Sequence, residues 1–467
     1  MVPSHVGGAL HHTVVMTVAL LGCTPEGERP PTAEDTARPT AGAPTWHQDV
    51  APIIGSSCLA CHAADSLAGA VDLSTGESAA TWAPLIAQRT SERTMPPFYA
   101  AETDSCQPRF SWSHDPRLSE DALSTLSDWA AAGAPLGDAT TAAPVPPPVD
   151  THLERYDLEL TPSAAYPAEL GDYQICFPLE LPITEPTWIK GIEVLPGDDA
   201  VVHHVQVRLD TEGISLERAE GEPYYRCDGA LDGDEIGGYL PGAPPVVFPD
   251  GVAMPVEPGA VVAMQIHYHV IDEGPFPDLT RVRLQLQDTP PRHVPRLLRV
   301  GNTPGITPLG GMVPGPGGDM EFLIPAGARG HEESFLARFD TPGTWAVFLL
   351  ANHMHYVGTD ARLWVERPER ELSAECLLHT PNWDFDWQQL YTVDTTDGRA
   401  PLLRAGDLIR LTCTYDNSPA NGRWMEQLAT EGIDELYDVR LGETALNEMC
   451  SALIGVYDLG EVTTEGS

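Results

Sequence analysis

The sequence predicts a mainly β protein in which a small helical region leads two units built from short antiparallel strands. From residue 155 onward, short runs alternate apolar with polar residues and are separated by Gly, Pro and Asp clusters. The 45 prolines and 42 glycines favour many turns over long helices. A length of 467 residues accommodates about three domains of roughly 150 residues. The runs are 157–161, 188–194, 201–209, 260–270, 281–287, 345–350, 361–365 and 407–413. Such spacing fits antiparallel sandwiches or barrels, with enough strands for two domains, placed at 151–292 and 293–467.

The N-terminus reads as an export signal. Residues 13–22 (TVVMTVALLG) form an apolar run too short to span a bilayer. The run closes in Leu20-Leu21-Gly22-Cys23, which resembles the bacterial lipobox, where the cysteine is acylated after cleavage of residues 1–22. It departs from that pattern in having no Lys or Arg before the apolar run. Residues 24–44 form a polar Pro/Thr/Ala tether with nothing to bury. The expected location is the periplasm or cell surface, with the membrane touched only through a lipid on Cys23. Export makes the remaining cysteines readable as disulfides or metal-engaged thiols. With 68 acidic against 26 basic residues and a net charge of −42, the surface repels nucleic acid and anionic membranes.

Residues 45–137 carry a haem-attachment pattern. Cys58-Leu59-Ala60-Cys61-His62 matches C-x-x-C-H, in which two thiols add to the haem vinyl groups and the following imidazole reaches the iron. A zinc site needs a second ligand pair at short spacing, and none follows. The sixth ligand is expected at Met95, held in Thr94-Met95-Pro96-Pro97 by flanking prolines, with His47 and His114 as rivals. Helices flank the motif: a short one over 46–54, and one capped by Ser119. Glu120 and Asp121 start that second helix, Leu123, Leu126 and Trp129 lie on one face, and Gly133 stops it. The region resembles the single-haem cytochromes fused to bacterial oxidoreductases. Residues 138–150 (DATTAAPVPPPVD) lack periodicity and read as a semi-rigid linker.

Histidines cluster on three of the predicted strands. His203 and His204 are adjacent, His267 and His269 are two apart on one face, and His353 and His355 repeat that spacing. Met449 stands apart, before Cys450. A lone strand histidine is usually a hydrogen-bonded structural residue, but three clusters with a thioether suit copper, which cycles between two oxidation states.

In order, VVHHVQV, AMQIHYHV, NHMHYVG and GETALNEMC, preceded by YQICFPLELP, resemble the copper type II, ascorbate-dependent monooxygenases, the peptidylglycine α-hydroxylating and dopamine β-monooxygenase family, over about 170–460. The resemblance implies two jelly-roll-like β-sandwiches. It also implies a first copper on His203, His204 and His267 that passes electrons. A second, on His353, His355 and Met449, binds O2 and hydroxylates a C–H bond. The Q-I-H-Y context favours His267, with His269 as the alternative ligand or a supporting partner. The resemblance pairs Cys176 with Cys227 and Cys413 with Cys450. Cys106 and Cys376 are left to pair across domains or stay as free buried thiols.

Three departures bear on substrate. The family's peptide-carboxylate clamp falls on Ala351, Ser451 and Leu453, so a glycine-terminated peptide is not expected and the pocket should be more apolar. Trp383, Asp384 and Trp387 are candidates for an entry wall, or for ordinary packing. The expected activity is hydroxylation of a small organic molecule, with electrons from ascorbate or a redox protein relayed by the fused haem c. The rival readings are a haem/copper electron-transfer or copper-handling lipoprotein without catalysis, and a plain surface sandwich with incidental histidines.

Overall fold

The computed structural model describes residues 42–460 except 65, 67, 150–151, 228–230, 271–272, 303–310, 314–320 and 368–372. Cys23, the apolar run and most of the tether lie outside the described residues. Among the described residues no helix is long and apolar enough to cross a membrane.

The chain is mainly β, and its sheets are antiparallel throughout. In the first β unit one sheet runs Leu158–Leu160, Arg281–Gln287, Thr187–Leu195, Val246–Val247 in spatial order, with Met254–Val256 also on Thr187–Leu195. The facing sheet runs Tyr225–Arg226, Gly171–Glu180, Val261–Val270, Val202–Asp210, Asp234–Tyr239. Alternating strands supply both inner faces, and Ile175, Phe177, Ile192, Val205, Ile266 and Leu284 meet in a single core. The second β unit repeats the plan. Pro295–Asn302, Cys450–Asp458, Thr344–His353 and Tyr391–Thr392 form one sheet, with Leu402–Arg404 also paired to Thr344–His353. Gly311–Val313, Arg329–Phe339, Asp407–Asp416, Gly358–Glu366 and Ala374–Thr380 form the other.

The two β units are packed together by a local irregularity. Val347 pairs with Val456 and Leu349 with Gly455, which leaves Phe348 as an extra residue. Consequently Val347 and Leu350 enter the second unit's core, while Phe348 and Leu349 both reach into the first. Gly455 permits this: a Cβ there would lie 2.7 Å from the Phe348 ring.

In the N-terminal region, a π-helical turn Trp46–Val50 leads into Ala51–Ser57 and then Leu59–His62. The expected helix Glu120–Ala131 forms, and the Ser119 side chain accepts from Ala122 N. An unanticipated 16-residue helix, Gly76–Ser91, packs beside it. The segment 138–149 is not a free spacer. Gln48 Nε2 donates to Asp138 O at 2.6 Å, and Ala143 N donates to His47 O at 2.7 Å, so it lies back on the helices.

Residues 98–114, expected in the helical domain, instead form an arm on the second β unit. Phe98 and Phe110 join that unit's core, Ser113 N donates to Thr392 O at 2.8 Å, and Cys106 bonds Cys376. Cys176–Cys227 and Cys413–Cys450 are also disulfides, as the family resemblance implied. Three disulfides fit an oxidising, extracytoplasmic compartment.

Replacing Cys106 and Cys376 by serine should destabilise the protein by about 2–4 kcal/mol and expose 98–114 to protease. Denaturant midpoints and limited proteolysis read the effect, and an arm equally resistant in the variant would show that packing alone holds it.

Candidate metal centre

In a regular strand adjacent side chains point to opposite faces, so His203 and His204 should diverge. They do not. His267 pairs with His204, but Tyr268 pairs with Val202, leaving His203 as the extra residue of a β-bulge. The bulge turns His203 to the side of His204, beside His267 on the neighbouring strand. His204 Nδ1 lies 3.1 Å from His203 Nδ1 and 3.4 Å from His267 Nδ1. One ligand nitrogen from each of the three falls within 4.8 Å of the others.

His269 shares a carboxylate partner with His267. Asp172 Oδ1 lies 2.8 Å from His267 Nε2, and Asp172 Oδ2 lies 3.3 Å from His269 Nδ1. The carboxylate fixes His267 by one nitrogen and leaves Nδ1 toward the cluster, the usual arrangement of a metal-ligating histidine. Burial disfavours charge on both partners, yet the contact with these imidazoles holds Asp172 well below the carboxylate range and Asp172 holds His269 up.

His353 ends its strand opposite Ser451, and His355 follows in the turn. Gln388 Oε1 lies 2.7 Å from His353 Nδ1, and Asn447 O lies 3.1 Å from His355 Nδ1. Both Nε2 atoms are thereby left for another partner. Met449 is buried, its carbonyl accepts from Tyr415 OH at 2.8 Å, and its neighbour Cys450 is cross-linked. His353, His355, Met449 and His204 line one cavity of about 110 Å³ between the β units, and the His204 and His353 rings are 6.1 Å apart.

One residue missed in the sequence organises this second set. Glu448 is fully buried, and its oxygens accept from the backbone N–H of His355, Val357, Gly358 and Met449 at 2.8–3.0 Å. All four partners are donors, so the geometry is that of a carboxylate, although burial pushes the group up to about 8. A single side chain thus bolts the histidine turn to the methionine loop.

His203, His204, His353 and His355 are kept neutral. Burial, then neighbouring imidazoles, lowers His203 and His204 well below their ordinary value. Burial lowers His353 to about 3 and His355 to about 4. Neutral imidazole is the metal-binding form, and His203 Nε2 is buried without a hydrogen-bond partner. The donors present fit a soft, redox-active metal: three imidazoles in one cluster, and two imidazoles and a thioether on the wall of one cavity.

The cavity wall is mainly apolar, as Leu349, Leu390 and Leu453 show, and polar side chains interrupt it. Arg299 stands on the strand next to Leu453 and donates to Glu235 at 2.7 Å, and both line the cavity with Gln174, Gln265, Gln388 and Asn352. Position-by-position comparison missed this arginine because it arrives from a neighbouring strand. Trp383 and Asp384 line a second cavity, while Trp387 closes a short helical turn outside its walls.

In the helical region, Cys58 and Cys61 remain thiols although the other described cysteines are paired. His62 Nδ1 contacts Val71 O at 3.1 Å, which leaves Nε2 available. This fits a haem-bearing C-x-x-C-H. Met95 follows the helix Gly76–Ser91 on the loop leading to the arm, whereas His114 is exposed at the arm's far end.

No family model matches the chain, and no curated protein matches it. Among solved structures, the major capsid protein P2 of bacteriophage PM2 covers 66% of this chain and 98% of its own, at 10% identity and a TM-score of 0.25. PNGF-II covers 64% of this chain and 65% of its own, at 9% identity and a TM-score of 0.29. At such TM-scores the likeness carries no argument.

Two outcomes are expected. Glu448→Ala strands four buried N–H groups, so it should cost roughly 3–5 kcal/mol and strip metal from the second set while the first stays loaded. Unchanged metal content would contradict this. Between about pH 4 and 6.5 the folded protein binds fewer protons at His353 and His355 than the unfolded chain. Metal-free protein should therefore lose stability as pH falls from 6.5, by about 2 kcal/mol per histidine at pH 5. In a His353→Phe, His355→Phe variant that part of the loss should vanish, as denaturant midpoints at the two pH values would show.

Proposed function

We propose that the chain is a copper-dependent monooxygenase of the copper type II, ascorbate-dependent kind, with two jelly-roll-like β-sandwiches and a fused c-type cytochrome domain. It hydroxylates a C–H bond of a small organic molecule with O2. The observation that supports this reading is one cavity that two candidate ligand sets share, the first through His204. His203, His204 and His267 form the first, and His353, His355 and Met449 the second. Copper bound there would supply one-electron redox chemistry toward O2.

The protein's own contribution is placement. Asp172 and Gln388 orient the imidazoles, Glu448 fixes the spacing of His355 and Met449, and burial keeps the ligands deprotonated. Cavity walls built from Leu349, Leu390 and Leu453 exclude bulk water beside the second set. Cys58, Cys61, His62 and Met95 would hold the haem, which supplies one-electron chemistry when bound. Ascorbate or a redox protein is the external donor, and Cys23 is the site of lipid anchoring.

Protein isolated from the exported compartment should hold two copper ions per chain and one covalent haem. His267→Ala and Met449→Leu should each lose one copper, and each should abolish ascorbate-dependent O2 uptake. Metal analysis, intact mass and oxygen electrode readings check this. Full copper loading without O2 uptake would favour an electron-transfer or copper-handling protein, and absence of copper would sink both readings.

A further inference from the structure

Trp383 touches both histidines of the second ligand set. Its Nε1 donates to His355 O at 3.0 Å, and its ring stands at right angles to the His353 ring, 6.5 Å between centroids. The backbone keeps it there, since Trp383 N donates at 3.1 Å to the carbonyl of Thr359, on the strand Gly358–Glu366 that follows the histidine turn. Thr94, the residue before Met95, shares a cavity wall with Trp383 and His355.

The Met95 loop is held at both ends. Thr94 N and Met95 N donate to Arg89 O at 3.0 and 3.2 Å, and three residues further on the Phe98 ring lies in the second unit's core, 5.1 Å from Tyr391. Three residues span about 11 Å at most, so Met95 stays close to that unit. Ala101 N donates to His379 O at 2.9 Å, and Cys106 is bonded to Cys376, which fastens the arm beyond.

The other half of the haem motif approaches the same set. Tyr239 lines the cavity of His353, His355 and Met449. Burial, and then the charges of Asp199 and Cys61, push its phenol up to about 12, so the Cys61 sulfur is within electrostatic reach of that wall. Among the described residues of the two cavity walls, the first ligand set contributes His204 alone. Electron tunnelling decays steeply with distance and runs best through bonded or touching groups. An indole already in contact with two ligand imidazoles, beside the Met95 loop, meets that requirement.

We propose that the haem-bearing region delivers electrons directly to the second ligand set, with Trp383 as the bridge between the Met95 loop and the imidazoles of His353 and His355. This departs from the order implied by the family resemblance, in which the first set passes electrons on. The proposal rests on the monooxygenase reading for its haem and its two metal sites. In each transfer one electron leaves ferrous haem, which becomes ferric, and one cupric ion at the second set becomes cuprous. No bond or proton changes place, and the external donor reduces the haem again.

The test is anaerobic flash photoreduction of the full-length, copper-loaded protein by a flavin, with less than one electron per chain. Haem absorption follows reoxidation of the haem, and electron paramagnetic resonance follows loss of cupric copper. Haem reoxidation should persist within about twofold in His267→Ala, which lacks the first copper, and stop in Met449→Leu, which lacks the second. Trp383→Leu should slow it about tenfold and Trp383→Phe, which keeps a ring, by less, with copper and haem content unchanged. Transfer lost in His267→Ala, transfer persisting in Met449→Leu, or a rate unmoved by Trp383→Leu overturns the assignment. Should Trp383→Leu lose copper, the His267→Ala and Met449→Leu pair decides it. Absence of copper or of covalent haem defeats the proposed function and this inference together. Normal transfer without O2 uptake defeats the monooxygenase reading alone and leaves the electron entry standing.

Discussion

Strand alternation is the constraint on which the site depends, because it is broken where two consecutive side chains must face one way. At His203 the extra residue lets a His-His pair meet His267 across the strand boundary. At Phe348 the same device lets two consecutive apolar residues cross into the neighbouring core. The first irregularity assembles a histidine cluster, and the second holds the two β units against each other. A regular ladder at either place would leave half the arrangement on the wrong face.

Polar partners then fix what the backbone has brought together. Asp172 divides its oxygens between His267 and His269, which ties two histidines that share a face to one carboxylate. Glu448 spends both oxygens on backbone N–H groups, joining residues far apart in sequence through one buried side chain. Each such carboxylate loses hydration and regains it as hydrogen bonds, so its worth lies in geometry more than in net stability. Burial keeps His203 and His204 neutral beside these charged partners.

Much of this was legible in the sequence. The eight alternating runs became strands, Ser119 capped its helix, and His203, His204 and His267 came together in one cluster. Strands that broke the pattern were not read. Cys450–Asp458 is apolar on both faces, so it has no alternation to detect. Gly171–Glu180 contains Pro178, tolerated because only Ile175 and Cys176 pair on that side. The helix Gly76–Ser91 is Ala-rich with Pro84 inside, which masks its apolar face. The arm 98–114 has no period at all, and its position is set by a disulfide and by aromatic packing that spacing does not encode. Asp172 and Glu448 carry no signal beyond their neighbours, since a buried carboxylate is known only by its partners.

X-ray absorption at the copper edge of the loaded full-length protein tests the central claim most directly. Two sites built from these side chains predict imidazole nitrogen shells with one thioether sulfur for every five imidazoles, and loss of the sulfur in Met449→Leu with the nitrogen shell of His203, His204 and His267 intact. A purely nitrogen and oxygen environment in the unaltered protein, or a sulfur shell indifferent to Met449, would contradict it.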